Sequence, residues 1–160
     1  MKNEKIVLNK LLFMGGKFYW QERPNARVPA GAIAGWLDEF GYTHIAYKRR
    51  KYAAHRLSFL LYYGWLPDEV DHIDGNPRNN MPENLRPASH LENMRNAKIR
   101  KDNTSGVKNV YWHKKNKSWV VRLSINGKHQ YFGCFKNIGD AERVAINARQ
   151  SVFKDFARHG

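Results

Sequence analysis

Apolar and polar positions alternate along residues 119–125, with Trp119, Val121, Leu123 and Ile125 on one side and Val120, Arg122 and Ser124 on the other. A two-residue period predicts a half-buried strand. Asn126-Gly127 follows, a dipeptide suited to the left-handed positions of a tight hairpin turn, and predicts a return strand over about 128–135. Residues 107–112 supply a further strand, making three. Ala141, Val144, Ala145, Ala148 and Val152 then recur at helical spacing, the stripe of an amphipathic helix that can cover such a sheet.

Upstream, Phe18-Tyr19-Trp20 and His44-Ile45-Ala46-Tyr47 predict short strands, the second turning through residues 48–51 into a helix over about 52–63 that stops at Gly64. Gly75, Pro77 and Pro82 predict a surface loop over 76–82 between two short extended segments, the first ending over 70–73. Ser89 with Glu92 three residues later is a capping-box pair, so a helix should begin there and hold Asn93 in its first turns. Residues 99–106 are basic and polar and read as a linker. The pattern therefore divides the chain into 1–98, a linker 99–106 and 107–160, an α+β chain.

The 160 residues allow one compact domain or two small ones and exclude a large multidomain enzyme. A net charge of +14, from 28 basic and 14 acidic residues, calls for a polyanionic partner or an acidic membrane surface. No apolar run approaches the ~20 residues of a spanning helix, and no signal-peptide core opens the chain, so no membrane partner is expected. A single cysteine, Cys134, precludes an intrachain disulfide and the paired thiolates of a zinc finger. A reducing cytoplasm is the expected setting. The charge is uneven. Residues 1–66 carry 11 basic and 4 acidic side chains, residues 67–97 carry 3 and 6, and residues 98–160 carry 14 and 4. An acidic island between two arms that grip phosphate costs electrostatic energy unless a cation occupies it or it faces away into solvent.

The island contains Asp71-His72-Ile73-Asp74-Gly75-Asn76, then Asn84-Leu85, then Glu92-Asn93. Over about residues 70–97 it resembles the HNH nuclease motif with its ββα-metal fold, and most closely the phage homing-endonuclease branch. The resemblance implies His72 as general base, Asn84 as the residue that orients it, and Asp71 with Asn93 as metal ligands. Phage HNH proteins carry a similar Tyr-x-x-His-Arg-Leu before the motif, here Tyr52, His55, Arg56 and Leu57.

These roles are chemically sensible. Phosphodiester hydrolysis needs a deprotonated water at neutral pH, and histidine, with an ordinary pKa of ~6.5, is matched to that task. An amide oxygen can accept one ring proton and fix the tautomer. Asp71 and Asn93 offer hard oxygen donors suited to one divalent cation, Mg²⁺ first and Mn²⁺ second, completed by waters and substrate phosphate. An isolated His-Asn pair in a loop is ordinarily a satisfied turn, but the complete spacing argues for the site. An EF-hand loop is excluded because the third position from Asp71 is Ile73. His90 is either a support or DNA contact of the site or a surface residue near the helix start. Asp74 is expected to stabilise the Gly75 turn rather than bind metal.

Three antiparallel strands backed by one helix, with Gly133-Cys134-Phe135 before the helix and Ala141-Glu142 inside it, resemble the AP2 DNA-binding domain over about residues 105–156. The family's arginine-rich first strand is replaced by Val110-Tyr111-Trp112-His113. The resemblance implies that the open sheet face lies in the DNA major groove, carrying Arg122, Tyr111, His113, His129 and Tyr131. Lys114, Lys115 and Lys117 at the first hairpin read as phosphate contacts, and Trp119 as core. A solvated basic face is the bland alternative. In the first arm, Lys48, Arg49 and Arg50 read as a backbone-binding turn, and Arg78 as a DNA contact beside the motif. Arg56 either reaches a phosphate or, with His55, braces the helix against the nuclease core.

The expected protein is thus a site-specific DNA endonuclease of the HNH homing type, acting on double-stranded DNA with one divalent cation and no small-molecule cofactor. With one motif, it would nick one strand as a monomer. A DNA-binding regulator that keeps the fold without cleaving, or an RNA-binding protein, are the rival classes.

Overall fold

The computed structural model describes residues 2–96, 99–100 and 102–157. The domain boundary expected at residue 98 therefore falls outside the described residues. The chain forms two compact units, residues 1–90 and 91–160.

The first unit opens with α1 (Lys2–Leu8), followed by a hairpin of β1 (Leu11–Met14) and β2 (Lys17–Trp20). A three-stranded antiparallel sheet follows, ordered β3 (Trp36–Leu37), β4 (Thr43–Tyr47) and β5 (Arg50–Ala53). The expected strands around 18–20 and 44–47 are present, but the basic run does not lead straight into a helix. Lys48 and Arg49 adopt φ of 48° and 61° and close the β4–β5 hairpin, so Arg50 and Lys51 pair with Tyr47 and Ala46 in a strand. Only then does α2 (Ala54–Tyr63) begin. It ends where Gly64 takes φ 78° and its N–H bonds the Leu60 carbonyl at 3.0 Å, the left-handed cap that glycine adopts without a Cβ penalty.

Val7, Phe18, Trp20, Ile45 and Leu57 form the main core of this unit. A smaller cluster of Phe59, Val70 and Leu85 ties α2 to a second hairpin, β6 (Glu69–His72) and β7 (Leu85–Ala88). Each such side chain contributes about 1.5–3 kcal/mol by leaving water. A 3₁₀ turn at Pro82–Asn84 leads into β7. The α3 helix (His90–Asn96) starts directly after Ser89.

In the second unit, β8 (Val110–His113), β9 (Ser118–Ile125) and β10 (Lys128–Phe135) form an antiparallel sheet ordered β10-β9-β8, covered by α4 (Ile138–Phe153). Asn126 and Gly127 take φ of 50° and 77° in the hairpin turn. Val121 and Leu123 pack with Ala141, Ala145 and the half-buried Trp119, while Arg122 and Ser124 are exposed. Arg149, on α4, is buried and donates through Nη1 to the Lys108 carbonyl at 2.5 Å. The end of the expected linker is an ordered turn. Asn103 Oδ1 accepts from the N–H groups of Ser105 and Gly106, and the Ser105 hydroxyl sits 2.9 and 2.7 Å from the carbonyls of Val107 and Val110, its one proton serving them both. Among the described residues, no helix is long and apolar enough to cross a membrane.

Candidate active site

Antiparallel pairing of β6 with β7 sets Asp71 opposite Arg86 and His72 opposite Leu85. Beyond His72 the chain enters the loop that carries Asp74, Asn79 and Asn80. Helix α2 holds that loop through Ser58 and Tyr63. Ser58 Oγ donates to the Asn80 carbonyl at 2.7 Å and Tyr63 Oη to the Pro82 carbonyl at 3.3 Å. The His55 ring lies 5.1 Å from that of His72, centroid to centroid, and both rings touch Tyr42, at 5.6 and 5.9 Å.

His72 is 4% exposed. Its Nε2 donates to Asn80 Oδ1 at 3.3 Å, which selects the tautomer with the proton on Nε2 and makes Nδ1 the basic nitrogen. Burial pushes the imidazole below its ordinary pKa, against the opposing pull of the Asn80 bond and the Asp74 and Asp71 charges. His55 is pushed further, to about 3, first by burial and then by the charges of His72, Arg56 and His44. Both rings are neutral near pH 7.

The residue bonded to His72 is therefore Asn80. Asn84, expected there, is engaged elsewhere: its Nδ2 donates to Asp74 Oδ1 at 3.0 Å and the Asn79 carbonyl at 2.9 Å, and its Oδ1 accepts from the Asp74 N–H at 3.1 Å. Asn84 thus fastens the loop. Asp74 is the staple of the same loop, accepting also from the Asn76 N–H and from Asn79 Nδ2. Burial works to raise its carboxyl pKa, but these bonds outweigh it and hold the pKa below the ordinary value.

Asp71 is 5% exposed. Arg86 grips its Oδ2 through Nε at 2.9 Å and Nη2 at 2.8 Å. Nothing in the sequence marks Arg86 except its place across the hairpin. Asn93 lies on α3, in the unit that follows residue 90. Among the described residues there is no group of three His, Cys, Asp or Glu side chains able to hold a metal. The buried Asp71 carboxylate is nevertheless an oxygen donor of the kind that suits an ion that keeps most of its waters, as Mg²⁺ does.

Of the expected DNA contacts, Arg56 is committed to bracing. Its Nη1 donates to the Asp68 carbonyl at 2.7 Å and its Nη2 to the Pro67 carbonyl at 3.1 Å, fixing α2 to the approach of β6. Lys48, Arg49, Arg50 and Arg78 are exposed. His90 is an exposed partner of Glu69, with Nδ1 2.8 Å from Oε1. On the sheet of the second unit, Arg122 faces Tyr131 across β9–β10 and lies over the Tyr111 ring at 5.6 Å, with His129 paired opposite Ser124. All four are exposed, as are Lys114, Lys115 and Lys117, while His113 is partly covered and accepts from the Asn116 N–H.

Residues 52–95 match the HNH endonuclease family, a span that runs from the end of β5 through the β6–β7 hairpin into α3. Protein 3.8 of Escherichia phage T7 is 44% identical over 89 residues, which is 56% of this chain and 73% of that protein. No solved structure matches. With the motif-bearing hairpin inside the matched span and most of a phage relative's length covered, the chain carries an HNH endonuclease domain at residues 52–95 and belongs to one family with Protein 3.8 of Escherichia phage T7.

Proposed function

We propose that this protein is a metal-dependent, site-specific DNA endonuclease of the homing type. The observation that carries the reading is His72, a buried and neutral imidazole held by Asn80 beside the buried carboxylate of Asp71. In this reading Nδ1 of His72 takes the proton of the attacking water, and Asn80 keeps the ring aimed while it does so. Asp71 and Asn93 would hold one divalent cation, Mg²⁺ or Mn²⁺. When bound, that ion supplies charge stabilisation for the pentavalent phosphorus and the leaving oxygen. Arg86 shares the Asp71 carboxylate and balances its charge.

The second unit would position the cut. Its three strands and covering helix support an AP2-like reading, with Arg122, Tyr111, Tyr131 and His129 reading base edges and Lys114, Lys115 and Lys117 holding phosphate. One motif in one chain supports a monomer that nicks a single strand of double-stranded DNA.

The test is incubation of supercoiled plasmid, and of genomic DNA from the protein's source, with Mg²⁺, Mn²⁺ or EDTA. Wild type should give mapped nicks that depend on the metal, and His72→Ala should lose them by about 10²–10⁴-fold. Identical, intact DNA from both proteins under every ion would overturn the reading.

A further inference from the structure

A cavity of about 320 Å³ opens beside the catalytic loop, lined by residues of the first unit alone. Its walls are mostly apolar. Phe18 and Ala34 form buried parts of the lining, and Trp36, 48% exposed on the two-residue edge strand β3, also borders it. Gly35 shapes the same wall. It takes φ 105°, and a Cβ there would collide with the His44 carbonyl oxygen. Polar groups are few: Thr43 and Asn80 face the space, and Lys17 and Arg78 are exposed lining residues. Neither Lys17 nor Arg78 forms an ion pair among the described residues, and no acidic residue lines the cavity.

We infer that this cavity receives one unstacked nucleobase of the DNA substrate next to the phosphate to be cut. The inference rests on the nuclease reading above. Asn80 makes the connection, because the same side chain lines the cavity and holds His72. A base entering the cavity meets an aromatic wall for stacking and an amide and a hydroxyl for its edge. Its flanking phosphates meet Lys17 and Arg78. Volume, lining and charge together match what a protein needs to hold a base taken out of the helix. The cavity then makes an already unstacked or bulged base a preferred ligand, since the cost of extruding it has been removed.

The test is binding of the full-length protein, in EDTA, to a duplex carrying 2-aminopurine as a one-nucleotide bulge and to the same duplex fully paired. The bulged duplex should bind about tenfold more tightly, the scale of one base stacked on an aromatic ring, and the 2-aminopurine fluorescence should fall on binding. Trp36→Ala should erase that preference, and Trp36→Phe, which keeps a ring, should retain most of it. Thermal melting of both variants separates lost stacking from lost folding, and the half-exposed edge position of Trp36 favours intact folding. Equal affinity for the two duplexes, or a preference that survives Trp36→Ala, overturns the inference. Because no metal is present, the outcome is independent of cleavage. A bulge preference in a protein that never nicks would refute the nuclease reading and leave the pocket standing.

Discussion

Arg86 stands directly across the β6–β7 ladder from Asp71 and holds one oxygen of its buried carboxylate with two nitrogens. Removing one member of a buried pair strands the other without its counter-charge. Arg86→Ala should therefore lower the unfolding free energy by about 3 kcal/mol, measured by urea denaturation in EDTA. The double variant Asp71→Asn with Arg86→Met should cost less than the two single changes added together. Additive losses would mean that the pair is not coupled.

Asn80 and Asn84 are chemically identical and should fail differently. Asn80→Ala releases the His72 ring, so kcat should fall by about 10- to 100-fold. Asn84→Ala removes three loop bonds and should show first as a loss of about 2–3 kcal/mol of stability. Steady-state nicking and chemical denaturation on both variants check the split.

The pH dependence of folding follows from His55. Its pKa is about 3 in the folded chain and near 6.5 when unfolded. As pH falls below about 6.5 the unfolded chain takes up this proton first. The full stability is therefore present above that pH and is lost across the window down to about 3. The loss is up to ~1.4 kcal/mol per pH unit. His72, also lowered by burial, pulls in the same direction. His55→Phe should flatten the acid limb of a stability profile without abolishing it; an unchanged slope would contradict the buried, neutral ring.

DNA binding by the second unit should separate into two behaviours. Replacing Lys114, Lys115 and Lys117 by Ala should weaken all sequences alike and reduce the salt slope of log K by about 0.9 for each phosphate contact removed. Arg122→Ala should instead cost about 1–3 kcal/mol on the preferred sequence and relax discrimination. Titrations at several salt concentrations distinguish them.

Much of this architecture was legible because local pattern and tertiary role agreed. Alternation over 119–125 with Asn126-Gly127 marked the β9–β10 hairpin, and Gly64 marked the end of α2. The strands missed had no such agreement. Leu11-Leu12-Phe13-Met14 is uniformly apolar and has no period, β3 is two residues long, and β5 begins inside a basic run that reads as a turn. In the candidate site, the motif located His72 and Asp71, but it pointed to Asn84 for the bond to the ring that Asn80 makes. The partner is set by the path of the loop, which Ser58 fixes from α2 and Asp74 from within the motif. Arg86 was invisible for a related reason: its partner lies 15 positions away and is brought opposite only by strand register.

The β4–β5 turn holds two long, branched-out cations, Lys48 and Arg49, in a backbone conformation that asparagine and glycine adopt more easily. A chain under selection for robustness alone would have little reason to keep them there. Exchanging the pair for Asn-Gly should yield a hardier protein, melting a few degrees higher, that clings less firmly to DNA. That outcome would mark the hairpin tip as a place where durability is surrendered for grip.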